Sequence, residues 1–262
     1  PDAAGVREAA ALVRAARRPV ILAGNGVIRA RASRALRSLC AHAGIPACPT
    51  FMGKGAVDDR SLLSLPAVGL QARDSVTAGL DEADVVLCAG YDLVEFGPAA
   101  WNPDRRKRIV HIDARPAEVD AHYIPEVEIV GDVGETLDAL RDELPPGDEP
   151  PYATRLRVAV TSELRATAER PGVVSPQAAV AATRAAMAPE DVLISDVGAH
   201  KLWLGRLFPA YEPGTVIISN GFATMGIALP GAIAANLALP GRRVVAVSGD
   251  GGFLMNVQEM ET

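Results

Sequence analysis

Aromatic residues make up only 4% of this 262-residue chain. No stretch approaches the roughly 18 uninterrupted apolar residues that a membrane-crossing helix needs. The opening, Pro1 to Pro19, lacks the charged and apolar blocks of a secretory leader, so neither membrane nor secretion is expected. Cysteine is scarce too. Cys40, Cys48 and Cys88 are odd in number and lack metal-ligand spacing, and they read as buried reduced thiols of a cytoplasmic protein. Basic charge is not in excess: the net charge is −6, and Arg105–Arg108 is too short a run to suggest nucleic acid. What the chain has is aliphatic bulk. Apolar residues reach 49%, and the length suits two α/β units better than one.

The first half alternates strand-like and helix-like segments. Strands are expected at Pro19–Ala23, Ile45–Cys48, Val85–Ala89, Ile109–Ile112 and Glu128–Val130. Helices are expected at Val6–Ala16, Arg29–Ala43, Asp74–Leu80 and Glu135–Leu144. Such alternation implies a parallel sheet covered on both faces, with ligands bound beyond the carboxyl ends of its strands. The stretch Pro145–Pro151 (PPGDEPP) reads as a solvated linker. The expected division is residues 1–144, a linker at 145–152, and a second unit at 153–262. In that second unit, Ala153–Arg170 reads as a helix, and Ser175-Pro176 opens another with serine as cap. Strands follow at Val192–Ser195, Val216–Ser219 and Val244–Val247, with helices at His200–Leu207 and Ile227–Leu239. The fold class is thus α/β with two doubly wound parallel-sheet domains, the second truncated.

Two glycine loops are candidates for ligand binding. Gly24-Asn25-Gly26 follows a strand and precedes a helix, but Arg29 stands where a dinucleotide fingerprint needs its third glycine. Ile45–Thr50 also lacks the acid that would hold a ribose. A dehydrogenase is disfavoured, and either a ligand-free turn or a loop for another nucleotide remains open. The second loop, Gly249-Asp250-Gly251-Gly252, joins the strand Arg243–Val247 to a segment in which Phe253, Val257 and Met260 recur at helical spacing. Glycines there let backbone N–H groups approach an anion closely, and Asp250 could hold a hard cation shared with it. Taken alone, the tetrapeptide fits an ordinary Asp-Gly turn at least as well.

Three segments in order, Asp196–Trp203 (DVGAHKLW), Ser219–Ala234 (SNGFATMGIALPGAIA) and Val244–Glu261, resemble the cofactor-binding domain of thiamine diphosphate enzymes, specifically the acetolactate synthase group. Gly53-Lys54-Gly55, Val68–Asp74, Gly90–Glu95, His111-Ile112-Asp113 and Gly131-Asp132 resemble that group's central domain, of a six-stranded parallel-sheet type. The resemblance implies thiamine diphosphate and Mg²⁺ as cofactors, pyruvate as substrate, condensation of two pyruvates to 2-acetolactate and CO₂, and a homo-oligomer. By the same resemblance Asp250 is the metal ligand, while Gly249, Gly251 and Gly252 face the diphosphate from one side and Gly198, Ala199 and His200 from the other. Met225 would wedge the cofactor into its bent form, and Ala223, in the place of a family glycine, would offer its carbonyl to the aminopyrimidine.

Departures refine these expectations. A GxHQ-like segment of the family reads Gly198-Ala199-His200-Lys201 here, which leaves its amide contacts open. Gly90–Pro98 looks like the flavin-independent, catabolic type, so no tightly bound FAD is expected. The family's activating glutamate belongs to an N-terminal domain, and its remaining metal ligands come further along than residue 262. The 262 residues alone are therefore expected to be inactive and to contain no catalytic acid or base of their own. Competing readings are a thiamine diphosphate-dependent 2-oxo acid decarboxylase or other carboligase, and a non-catalytic nucleotide-binding or oligomerisation module.

Overall fold

A computed structural model describes residues 1–69, 78–165 and 172–262. In chain order the first unit comprises α1 (Ala3–Ala15), β1 (Pro19–Ala23), α2 (Asn25–Arg29), α3 (Ser33–Ala43), β2 (Ala47–Pro49), α4 (Ala78–Asp81), β3 (Val85–Ala89), α5 (Pro98–Trp101), β4 (Arg108–Asp113), β5 (Val127–Val130) and α6 (Val133–Glu143). Then come α7 (Pro151–Arg165), α8 (Pro176–Ala185), β6 (Val192–Ser195), α9 (Ala199–Leu207), β7 (Val216–Ile218), α10 (Ala228–Ala238), β8 (Val244–Val247) and α11 (Asp250–Met255). A 3₁₀ turn over Val257–Glu261 follows. Two parallel sheets result, in the orders β2-β1-β3-β4-β5 and β7-β6-β8.

Successive residues of β1 point to opposite faces, as strand geometry requires. Ile21 and Ala23 pack with α1, α3 and α6, while Val20 and Leu22 join Phe96, Trp101, Tyr123 and the start of α7. Five strands pair among the described residues, not six. At the outer edge of β2, residues 63–68 run parallel to it but make only isolated bridges, Ala47 with Ser64 and Thr50 with Val68. Pro66 lies between them and has no N–H to continue the ladder.

The expected helix Arg29–Ala43 is instead two. Arg31 adopts a left-handed φ of 55°, and Ala32 N–H reaches back to Val27 O at 2.9 Å, which closes α2 before α3 begins. The expected single helix after the second glycine loop likewise divides into α11 and the 3₁₀ turn. The expected helix Asp74–Leu80 and the motif residues Leu70–Asp74 fall mostly outside the described residues, as does the end of Ala153–Arg170. Helix starts follow their capping residues. Asp132 Oδ1 accepts from Glu135 N–H at 2.8 Å, and Ser175 Oγ from Ala178 N–H at 3.2 Å.

The proline-rich segment before α7 is pinned rather than free. Gly147 N–H donates to His42 O at 2.9 Å, and a side chain on Gly147 would meet Ala43 O at 2.3 Å. Ala153 and Leu156 of α7 complete the second core face of the first sheet, so the first turns of that helix serve the first unit.

The second sheet is covered by α8 and α9 on one face and by α10 on the other. Phe51 and Ala67 of the first unit belong to the α8–α9 core, with Phe51 pressed against Gly205. Polar links reinforce that seam. Arg37 donates to Tyr211 O at 2.9 Å, and Asp59 Oδ2 accepts from Ala210 N–H at 2.8 Å.

Candidate functional site

Each sheet reverses its strand order once, between β1 and β3 in the first and between β6 and β8 in the second. At such switch points the loops leave in opposite directions and open a crevice at the carboxyl ends of the strands. Both glycine loops singled out from the sequence occupy these positions.

At the second crevice, Asp196 follows β6 directly and is buried. Its Oδ1 accepts from Val197 N–H at 2.7 Å and Gly226 N–H at 2.8 Å, and its Oδ2 from Ala228 N–H at 3.3 Å and Ser248 Oγ at 3.1 Å. Burial works against the charge, but these donors outweigh it and hold the carboxyl below the usual carboxylate range. In the sequence Asp196 stands only as the first residue of a family-like segment; in the structure its carboxylate ties together the three segments 196–203, 219–228 and 248–252. Asn256 adds a further tie, its Nδ2 donating to Gly226 O at 2.8 Å.

Of the expected cofactor residues, Gly252 packs on this node and His200 touches Gly198 and Gly249. Gly249 caps α11 without a side-chain bond, and Asp250 opens the helix with its carboxylate exposed and accepting from Gly251 N–H at 2.8 Å. Gly252 is buried against Asp196, where an added Cβ would stand 3.0 Å from the carboxylate and from Ser248 Oγ. Gly251 has open space around it. The His200 ring lies against both Gly198 and Gly249, and its Nε2 is buried without a hydrogen-bond partner. Ala199 begins α9 and is exposed. Ala223 holds a left-handed φ of 48°, a conformation that costs a residue bearing Cβ about 1–2 kcal/mol. Met225 belongs to no buried cluster and is 47% exposed. Among the described residues, no three His, Cys, Asp or Glu side chains converge to hold a metal ion.

The first crevice is a cleft of about 650 Å³ lined by residues that include Asn25, Arg29, Asp92, Glu95, Asp113 and Arg115. Its glycines serve the backbone itself. Gly24 and Gly26 lie so close to Gly90 that a Cβ on either would meet Gly90 atoms at 2.3–2.9 Å. The N–H groups of the turn are also engaged. Gly24 donates to Ala89 O at 2.9 Å, Gly26 to Gly90 O at 2.8 Å and Asn25 to Glu95 Oε1 at 3.0 Å. The buried Glu95 carboxylate accepts from Thr50 Oγ1 as well, and burial raises its pKa to about 7 despite these donors. All three cysteines are buried and free, with thiols raised to about 12 by burial, which leaves them protonated at neutral pH. No helix among the described residues is long and apolar enough to cross a membrane.

The family model for the thiamine pyrophosphate enzyme central domain matches residues 6–140, and that for the C-terminal thiamine pyrophosphate binding domain matches residues 196–262. The chain belongs to the thiamine pyrophosphate enzyme family. The boundary of the second match falls at Asp196, the residue on which the crevice is organised. Among curated relatives, the chain is 34% identical over 263 residues to an acetolactate synthase of Bacillus subtilis (strain 168), covering 98% of this chain and 46% of that protein. It is 35% identical over 275 residues to a catabolic acetolactate synthase of Raoultella terrigena, covering 100% of this chain and 48% of that one. An acetolactate synthase of Mycobacterium bovis is 34% identical over 279 residues, 44% of its length. The chain thus spans just under half the length of these relatives.

Proposed function

We propose that the complete protein is a thiamine diphosphate- and Mg²⁺-dependent acetolactate synthase that condenses two pyruvates, and that these residues supply one side of its cofactor site. The observation that carries this reading is the convergence on Asp196 of the three segments whose order matches the family. The residues present suit the cofactor. His200 Nε2 is a buried polar atom with no protein partner, of the kind that ordinarily has one. Gly251 leaves room for close approach to the backbone. When bound, thiamine diphosphate supplies the nucleophilic carbon and electron sink for decarboxylating a 2-oxo acid.

The chain's own residues bind and orient. Asp250 provides one carboxylate to Mg²⁺, an ion that takes one or two carboxylates together with substrate phosphates and waters. Gly198, Ala199 and His200 line the diphosphate from the α9 side, and Gly249, Gly251 and Gly252 from the α11 side. Ala223 presents its backbone, and Met225 its half-exposed side chain, to the rings. No tightly bound FAD is part of this reading, because the N–H donors of the first glycine loop are engaged within the protein. A cytoplasmic homo-oligomer is also proposed; the exposed Phe222, Leu254 and Met260 in the segments that follow β7 and β8 supply apolar surface for assembly.

Calorimetric titration of thiamine diphosphate into the complete polypeptide, with and without Mg²⁺, tests the reading together with acetolactate formation from pyruvate. Saturable, Mg²⁺-dependent binding that Asp250→Ala abolishes is expected. Metal-independent binding, or none, would overturn it.

A further inference from the structure

Lys201 lies in the first turn of α9, directly after His200, and its Nζ donates to Asn220 Oδ1 at 2.8 Å and to Ser219 O at 3.4 Å. An ammonium group can only donate, so the Asn220 amide turns its oxygen to Lys201. Its Nδ2 turns away. There Nδ2 donates to the backbone carbonyl of Glu95 at 2.7 Å, with a longer contact to Gly69 O at 3.5 Å. The Glu95 carboxylate in turn receives Asn25 N–H and the Thr50 hydroxyl. A continuous run of hydrogen bonds therefore leads from the His200 turn, through the start of the 219–228 segment, to the ends of β1 and β2 in the other unit.

The carbonyl of Glu95 can only accept and the Lys201 ammonium can only donate, so both ends of the Asn220 amide are held in one setting. The Asp196 node holds the 219–228 segment at its far end, through Gly226 and Ala228, and Lys201 holds it at its near end, through Ser219 and Asn220. Ala223 and Met225 lie between these two attachments.

We propose that Lys201 is a positioning residue for the cofactor. By bridging to Ser219 and Asn220 it sets the spacing between the His200 turn and the Ala223–Met225 stretch, and through Asn220 it joins both to the first unit. This rests on the reading that these segments hold thiamine diphosphate.

The test compares wild type with Lys201→Met, Lys201→Arg and Asn220→Asp in the complete polypeptide. The readouts are the Kd of thiamine diphosphate by calorimetry at saturating Mg²⁺, the melting temperature, and steady-state rates with pyruvate. Lys201→Met is expected to raise Kd about tenfold with little change in kcat once cofactor is saturating. Lys201→Arg, which still only donates, is expected to restore most of the affinity. Asn220→Asp keeps a partner for Lys201 but loses the donor to Glu95 O, and should weaken binding in the same direction. Wild type that binds no cofactor would overturn the functional reading. Wild type that binds while Lys201→Met binds equally well, or Lys201→Met that loses melting temperature with Kd unchanged, would overturn the positioning role alone.

Discussion

Asp196 Oδ1 accepts the backbone N–H of Gly226 at 2.8 Å, across a sequence separation of 30 residues. The bond joins a strand end to the loop that leads into α10, and the same carboxylate reaches Ser248 after β8. Asp196→Asn offers one acceptor oxygen and turns an amide nitrogen toward donors, so about 2–4 kcal/mol of stability should be lost. The ionised carboxylate favours the fold, and with its pKa lowered the benefit is present above the usual 3.8 and disappears as pH falls below it. Urea unfolding of wild type and variant at pH 7 and pH 3 should therefore show a large difference at the first pH and a smaller one at the second.

Glu95 has the opposite sign. Burial raises its pKa from 4.5 to about 7, so the folded state binds more protons than the unfolded state between those values. Its contribution to stability falls as pH rises from 4.5 to 7 and is constant above, a change on the order of 3 kcal/mol. Glu95→Gln removes that slope. Denaturation midpoints measured from pH 5 to pH 8 should decline more steeply in wild type than in the variant.

The glycines separate into two kinds. Gly24→Ala forces a Cβ to 2.3 Å from Gly90 O and should cost about 3 kcal/mol or more, with or without any ligand. Gly251→Ala meets nothing in the protein and should leave the melting temperature the same or slightly higher, because alanine suits a helix better, while weakening thiamine diphosphate binding sharply. Thermal melts paired with cofactor titrations of both variants distinguish a glycine needed by the fold from one needed by the ligand.

Ala223 sits in the left-handed region with a Cβ. Ala223→Gly relieves that strain but adds chain entropy, so a net gain of about 1 kcal/mol or less is expected. Chemical denaturation would detect it. A loss of stability would mean that the φ of 48° is not the ground state of the loop.

Strands were the most legible elements. Val85–Ala89, Val192–Ser195 and Val244–Val247 are short apolar runs paired in parallel sheets, the first two buried and the last part-exposed, and their bounds agree with expectation. The break after α2 was not legible, because its left-handed residue is Arg31 rather than the glycine or asparagine that normally marks such an ending. The glycine loops and His200 could be picked out from local pattern and resemblance. The residues that organise them could not. The organising role of Asp196 could not be read locally, because its partners at positions 226, 228 and 248 are brought to it only by the sheet order. Glu95 and Asn220 act across the seam between units, and no local spacing announces a partner 125 residues away. The one available sign was an acid or amide beside a strand end, too common to single out.

Phe51 rests on Gly205, a residue of α9, and fills space in the core beneath the same helix that begins with Ala199 and His200. A polypeptide starting at Pro151 would therefore carry a vacancy beneath α9. Dividing the gene at the proline-rich segment would yield a C-terminal piece that needs residues 47–69 added back, in trans or as a graft, before α9 could take its native position.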